Sequence, residues 1–367
     1  MVTLNPSDPL SAPLRTAVGA QLSWFLDGRA RDLAELGPQT AVLIDLARTF
    51  TDGGKRLRPA FCCWGYLAAT GGTEVPDEVV RAAASLDLLH VAALVHDDVM
   101  DGSDTRRGVP AAHRQFAAQH RDEQRRGSAE AFGQAGAILL GDLLLLWSER
   151  MLAECGAPTD RLQAALPLAA RVREEVNAGQ FLDVTAQTRP PLEARTDPES
   201  VLSQIRRVVE FKTARYTVIR PLQIGAALGG GSPELLDALA GIGSPLGRGF
   251  QFRDDILGVF GHESITGKPA GDDLREGKLT ILIANAMIRA TKSRAEALDG
   301  LLGRPLTADE VWQAQKLIVE AGALAATEDE IAACAASAHA ELAAARLPEP
   351  ARDGLATLVE IATQREA

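Results

Sequence analysis

AAASLDLLHVAALVHDDVMDGSDTRRG, residues 82–108, is apolar along most of its length, then turns acidic and ends basic. It lacks the strict alternation of a half-exposed strand, so it reads as the end of a very apolar helix. Asp97 and Asp101 are four residues apart and share one helix face, one turn from each other, with Asp98 beside them. Three acids at a helix C-terminus sit against the negative end of its dipole, so something must neutralise them. A hard, oxygen-seeking cation fits: Mg²⁺ commonly takes one or two carboxylates and keeps water and substrate phosphate as its other ligands.

A second stretch repeats the setting. FQFRDDILGVFG, residues 250–261, is another apolar helix carrying adjacent acids, Asp254 and Asp255. Acidic patches on two apolar helices are expected to face each other across a helical bundle, the usual place for a metal in such proteins. Only His96 accompanies them as a nitrogen ligand, which favours magnesium over zinc or iron. A metal phosphohydrolase built on the His96-Asp97 pair would need further paired histidines, and His90, His113, His120, His262 and His339 form no second pair.

Outward from these stretches, the rest of the chain also reads as all-α. Helices are predicted at 13–35, 40–50, 56–70, 77–101, 111–120, 131–155, 160–187, 198–228, 233–260, 272–290, 307–322, 328–346 and 350–364. Asp197-Pro198 and Ser232-Pro233 read as an N-cap followed by proline at the first helical position. Thr307 with Glu310, and Thr327 with Glu330, have capping-box spacing. Gly71-Gly72 and Gly229 to Gly231 read as helix stops, and Pro221 and Pro245 as kinks or breaks. Residues 120–130 read as a surface loop. The expected organisation is an N-terminal tail over 1–12 and one helical domain over 13–367.

The sequence has 367 residues, 46% of them hydrophobic but only 4% aromatic, so the core must be built mainly of Ala, Leu, Val and Ile. A formal charge of −11 argues against nucleic acid as a partner, because a phosphate backbone needs a basic face. Cys62, Cys63, Cys155 and Cys334 lack metal-ligand spacing and read as reduced core residues. The first residues have no basic region followed by an apolar run, and the longest apolar run, Ala137 to Trp147, is too short to span a bilayer. A cytoplasmic protein without a transmembrane segment is expected.

Of the 38 Lys and Arg residues only six are lysine, and four of those stand in motif-like contexts: GGKRLRP (53–59), FKTARYT (211–217), GKPAGDD (267–273) and REGKLT (275–280). A compact ammonium is not interchangeable with a guanidinium where a point charge meets a phosphate oxygen. Lys55, Lys212 and Lys268 are therefore candidate phosphate ligands, with Lys292 and Lys316 ordinary surface residues. Arg106 and Arg107 follow the first acids directly, where a loop can wrap a metal-bound diphosphate. Lys55, Arg56 and Arg58 form a separate basic group at a helix start, itself a favourable anion site. His90, two turns before Asp97 on the same face, is expected to join it. Two diphosphates are accommodated in this reading.

Seven segments in order, GGKRLRP, LLHVAALVHDDVMDGSDTRRG, GDLLL, NAGQFLD, KTARYT, FQFRDDILGVFG and GKPAGDDLREGKLT, resemble the trans-isoprenyl diphosphate synthases of the polyprenyl synthetase family, bacterial geranylgeranyl diphosphate synthases among them. The resemblance implies an antiparallel helix bundle around a deep cavity, usually as a homodimer. It implies three Mg²⁺, with Mn²⁺ able to substitute: Asp97 and Asp101, with Asp98 close by, hold two, and Asp254 a third, with Asp255 adjacent. Arg106, Lys212 and Lys268 would bind the allylic diphosphate, with Thr213 and Gln251 nearby, and Lys55, Arg58, His90 and Arg107 would bind isopentenyl diphosphate. The chain departs from the family at Gly258, where many members carry a third acid.

Product length is read from the helix ending at Asp97. Ala92 and Ala93 lie one turn below Asp97 and leave that turn open, and Leu89, a turn deeper, is bulky enough to help form a floor. Geranylgeranyl diphosphate is the expected product, farnesyl the next and longer chains third. A terpene cyclase would have no use for Lys55, Arg58, His90 and Arg107 together, and a non-catalytic subunit would not need both acidic motifs.

Overall fold

The computed structural model describes residues 1–261 and 270–364. Among these, regular structure is helical apart from two pairs of two-residue strands, β1 (Val2–Thr3) with β2 (Glu74–Val75) and β3 (Thr105–Arg106) with β4 (Val109–Pro110). The first helices are α1 (Ala12–Ala34), α2 (Ala41–Thr51), α3 (Leu57–Thr70), α4 (Asp77–Met100), α5 (Ala112–Asp122), α6 (Ala129–Ala153) and α7 (Thr159–Gln187). A short α8 (Glu193–Thr196) and α9 (Pro198–Val208) lead into a π-helix, Val209–Ile219, followed by α10 (Arg220–Leu228) and α11 (Pro233–Phe260). The chain closes with α12 (Asp272–Glu276), α13 (Ile281–Arg289), α14 (Lys292–Asp299), α15 (Ala308–Glu320), α16 (Ala323–Ala344) and α17 (Glu349–Thr363). The all-α expectation holds.

Two compact units are present, one of Met1–Ala169, Pro221–Leu236 and Leu347–Gly354, the other of Ala170–Arg220, Asp237–Arg346 and Leu355–Ala367. In the first, α4 packs against α1, α3 and α6, and α5 against α6. α4 is buried nearly all round, as its apolar sequence requires. Gly225 of α10 stands so close to α3 that any Cβ there would collide with the Cys62 carbonyl. Cys62, Cys63 and Cys155 are buried free thiols, and burial pushes that of Cys63 up to about 12. The segment expected to be a tail is anchored: β1 pairs with β2, Leu4 and Leu10 are buried, and the Trp64 indole donates to the Pro9 carbonyl at 3.3 Å.

α4 and α6 are both long and apolar enough to cross a membrane by composition. α4 owes its apolar sequence to burial inside the first unit. α6, in contrast, leaves Ile138, Leu139 and Leu146 exposed.

The second unit is centred on α13, whose Ile281, Leu282, Ile283 and Met287 share one apolar cluster with Val201, Ile205, Phe252, Val311, Ile318 and Ile331. The capping box of Thr307 and Glu310 is complete, and Asp197 caps α9 through the Ser200 amide. Several sequence readings are corrected. Thr327 is not an N-cap: α16 starts four residues earlier, at Ala323, and the buried Thr327 hydroxyl donates back to the Ala323 carbonyl. The expected helix 272–290 is broken at Gly277, whose φ of 71° ends α12. The expected helix 198–228 changes register over 209–219. Pro245 stays inside a continuous α11. Residues 120–122 belong to α5, and α14 had no counterpart in the sequence reading.

Candidate active site

Adjacent residues on an α-helix point about 100° apart, so neighbouring acids cannot serve the same face. In α4 this separates the acids of the first motif. Asp97 and Asp101 are partly exposed at the helix end, whereas Asp98 turns inward, its side chain only 2% exposed. Asp98 accepts from Nε of Arg106 at 2.9 Å and from a terminal guanidinium nitrogen as well. In this structure, then, Asp98 holds Arg106. Arg106 itself is presented by the hairpin of β3 and β4, whose two-residue turn, Arg107-Gly108, has φ of 53° and 77°. Positive φ at both turn positions marks the mirror-image turns that fit a tight hairpin, and glycine serves the second position without strain.

In the same unit, Arg58, Arg106 and Arg107 lie near His90. The Arg107 guanidinium lies against Gly54, where an added Cβ would approach it to 3.3 Å, and Arg107 also donates to the Phe50 carbonyl at 3.2 Å. Lys55 is exposed and Arg58 partly exposed at the start of α3. Burial holds the His90 imidazole well below its ordinary pKa, and the nearby guanidiniums of Arg58, Arg107, Arg106 and Arg56 depress it further. Burial and the neighbouring guanidiniums thus favour the neutral His90 ring. Arg56 is not part of that exposed set. It is buried in an ion pair with Asp87 and donates to the Thr51 carbonyl at 2.6 Å, with a φ of 54°. Leu89 and Ala92 are both buried, but Ala93 is only partly so.

The second unit repeats the division of labour. Asp254 is exposed on α11, whereas Asp255 is buried and accepts from the Gln251 amide at 2.8 Å. Gln251 in turn accepts from the Thr213 hydroxyl at 2.6 Å. Thr213, Gln251 and Asp255 thus form one chain of hydrogen bonds. Burial lifts the Asp255 carboxyl well above its usual range against the pull of the Gln251 bond, and Asp273 and Asp254 lift it further. Lys212 donates to Asp183 of α7 at 2.5 Å. Lys268 lies outside the described residues.

Gly258 has a local explanation. A Cβ there would run into the Asp273 carboxylate, which occupies the space beside the helix one turn on from Asp254. An acid does reach this surface of α11, from fifteen residues downstream rather than from position 258.

Among the described residues no group of three or more His, Cys, Asp or Glu closes up to hold a metal alone. The donors that do stand outward, Asp97, Asp101 and Asp254, are hard oxygen ligands in ones and twos. Such a set fits a cation that completes its shell with phosphate and water, not a closed structural site.

The polyprenyl synthetase family model matches residues 41–318, which include every candidate residue above. The chain belongs to the polyprenyl synthetase family. It is a prenyltransferase, a trans-prenyl diphosphate synthase. A geranylgeranyl diphosphate synthase of Methanosarcina mazei is 34% identical over 272 residues, 74% of each chain. A nonaprenyl diphosphate synthase of Mycobacterium tuberculosis is 33% identical over 361 residues, 97% of this chain and 94% of that one. The crystal structure of a geranylgeranyl pyrophosphate synthase from Corynebacterium glutamicum, in complex with isoprenyl diphosphate and magnesium, superposes with a TM-score of 0.89 at 37% identity. That match covers 96% of this chain and 99% of the other. The all-α isoprenoid synthase fold is therefore shared, and relatives of similar identity carry names that differ in product length.

Three features of this polyprenyl synthetase escaped the sequence reading: Asp183 as the partner of Lys212, Asp273 against Gly258, and an ion-pair network at Glu175. Asp183 had a signal, since it ends the NAGQFLD segment. The other two join residues whose separations match no α-helical spacing.

Proposed function

We propose that this synthase condenses isopentenyl diphosphate with an allylic diphosphate (dimethylallyl, geranyl or farnesyl) and that its main product is geranylgeranyl diphosphate. The observation that carries the reading is the pairing, in each motif, of an outward acid with an inward one that orients a neighbouring polar group. Asp97 and Asp101, and separately Asp254, would hold Mg²⁺. When bound, the metal supplies positive charge to the departing diphosphate, where charge develops in the transition state. Arg106, held by Asp98, binds an oxygen of the allylic diphosphate. Lys212 exchanges its contact with Asp183 for another, and Lys268 is proposed to act with them. Oxygens of Thr213 and Gln251 stabilise the allylic cation that remains. Lys55, Arg58, His90 and Arg107 hold isopentenyl diphosphate so that its double bond attacks that cation. The released diphosphate takes the proton.

The small side chains of Ala92 and Ala93 one turn below Asp97 support a product longer than farnesyl, with farnesyl and longer chains as alternatives. We further propose that residues 13–367 act as one domain, which the family match across both units supports. A cytoplasmic homodimer completes the reading, with the apolar face of α6 at Ile138, Leu139 and Leu146 a natural candidate for burial between copies. The deciding experiment incubates the protein with isopentenyl diphosphate, Mg²⁺ and each allylic primer, then separates the dephosphorylated products by chromatography. A twenty-carbon alcohol is expected, and no elongation from any primer would refute the reading.

A further inference from the structure

Lys212 and Thr213 stand in an uncommon helix. Over Val209–Ile219 the backbone hydrogen bonds run from each amide to the carbonyl five residues back, ending with the Arg220 amide on the Arg215 carbonyl. π-helices are rare, and eleven residues is long for one. The side chains explain why this one forms. Glu210, Arg215 and Arg220 are spaced five and five. At about 100° per residue, positions five apart on an α-helix point about 140° away from each other. In a π-helix, with its wider turn, they fall close to one face. Here they do: Arg215 Nε donates to Glu210 at 3.0 Å, and its terminal nitrogen donates to Glu175 of α7 at 2.8 Å. Arg220 grips the same Glu175 with two nitrogens, at 2.8 and 2.6 Å. Ser244 of α11 donates to the other oxygen of Glu210 at 3.1 Å.

Glu175 belongs to a stripe. Glu175, Gly179 and Asp183 follow at intervals of four and share one face of α7. Each meets the π-helix differently. A Cβ on Gly179 would approach the Lys212 amide nitrogen to 2.7 Å, so the two backbones touch there. Asp183 takes the Lys212 ammonium, and Glu175 takes both guanidiniums. The Glu175 pair is largely out of solvent, with side chains 12% exposed for Glu175 and 8% for Arg220.

We propose that Glu175 is a positioning residue: bonded to Arg215 and Arg220 together, it holds residues 209–219 in the π register and so sets where Lys212 and Thr213 stand. An α-helical register would turn Arg215 and Arg220 apart, so that Glu175 could no longer hold both. Every residue from 209 onward would also rotate about the axis, and Lys212 and Thr213 would leave their present places. The inference rests on the proposed contact of Lys212 with the allylic diphosphate.

The test is Glu175→Gln, which keeps the size of the side chain but cannot accept from both guanidiniums through a carboxylate. Turnover is expected to fall about 100-fold, the scale of an ångström-sized misplacement of catalytic groups. The KM for isopentenyl diphosphate should stay within about twofold of wild type, because the basic group at Lys55 and Arg58 is untouched. Lys212→Met is measured alone and in combination. If Glu175 acts through Lys212, the double variant is no slower than Lys212→Met by itself. Independent, multiplying effects overturn the proposal, and so does wild-type turnover in folded Glu175→Gln. If Glu175→Gln fails to fold, Arg215→Gln, at a more exposed position, is put through the same cycle and judged by the same two outcomes. A Lys212→Met enzyme with unaltered allylic kinetics would instead strike at the placement of Lys212, leaving the register argument to be decided by hydrogen exchange of amides 209–219 in the Glu175 variant. Unchanged protection there would refute it.

Discussion

Asp97 and Asp98 are neighbours with the same side chain, yet Asp97 is partly exposed and Asp98 is buried against Arg106, and substituting each should separate the two proposed roles. Asp98→Asn removes the charge that faces Arg106 while keeping the shape. Breaking a buried ion pair by neutralising one partner costs about 3–5 kcal/mol, because the remaining charge is stranded. Arg106 is 15% exposed, so water screens part of that penalty, and about 2–4 kcal/mol is expected. At roughly 2 °C per kcal/mol for a large chain, the melting temperature should drop by about 4–8 °C. Asp97→Ala removes a partly exposed acid at the end of α4 and should leave the melting temperature nearly unchanged, or slightly raised, since it relieves the dipole. Turnover should behave the opposite way. Asp97→Ala loses charge stabilisation in the transition state and should fall by about a thousandfold or more, with Mg²⁺ titration shifted to higher concentration. Asp98→Asn should keep its Mg²⁺ dependence and weaken chiefly the allylic substrate through a loosened Arg106. Differential scanning calorimetry and steady-state titrations of both substrates and Mg²⁺ decide the matter. If Asp98→Asn melts with wild type and matches Asp97→Ala in its Mg²⁺ shift, the inward assignment of Asp98 is wrong.

Chain length should respond at Ala93 rather than at Ala92. Ala93→Phe places a ring at a partly exposed position and should shorten the product, whereas Ala92, only 2% exposed, has no room, and Ala92→Tyr should destabilise by about 1–3 kcal/mol before it informs on length. Chromatography of the products together with a melting curve separates the two outcomes. Gly258→Ala should displace the Asp273 carboxyl and lower turnover with little change in melting temperature; unaltered kinetics would mean that the position of Asp273 is irrelevant to the reaction. His90 makes stability depend on pH. Its folded-state pKa lies below the unfolded value near 6.5, so the unfolded chain binds the extra proton. Stability from this source is present in full above about pH 6.5 and is lost as the pH falls below it. His90→Gln should flatten the melting temperature against pH between about 6.5 and 5, and an unchanged profile would refute the assignment.

Much of the fold was legible because helices announce themselves locally. The apolar period, the proline and glycine punctuation, and the box of Thr307 and Glu310 depend on residues within a turn or two of one another, and they placed α1 to α7, α11, α15 and α17, with the start of α9, within about two residues. The same local logic misled at Thr327. A Thr three residues before a Glu has one spacing whether its hydroxyl caps an amide or donates backwards inside a helix, and only burial against the α13 cluster separates the two.

At the candidate site, the residue types and their order along the chain were enough to point to a prenyl diphosphate synthase, through paired acids, lysines in motif contexts and a second basic group. Tertiary structure decided which member of each acidic pair faces outward, since helix rotation separates neighbours but packing chooses between them. It also decided that Asp273, not residue 258, fills the space beside α11. The π-helix is the instructive case. Its signature, Glu210, Arg215 and Arg220 at intervals of five, is plain in the sequence, yet it carries no meaning until Glu175 arrives from another helix to bind two of the three. Local spacing proposes a register, but a carboxylate distant in sequence makes the less common one the more stable.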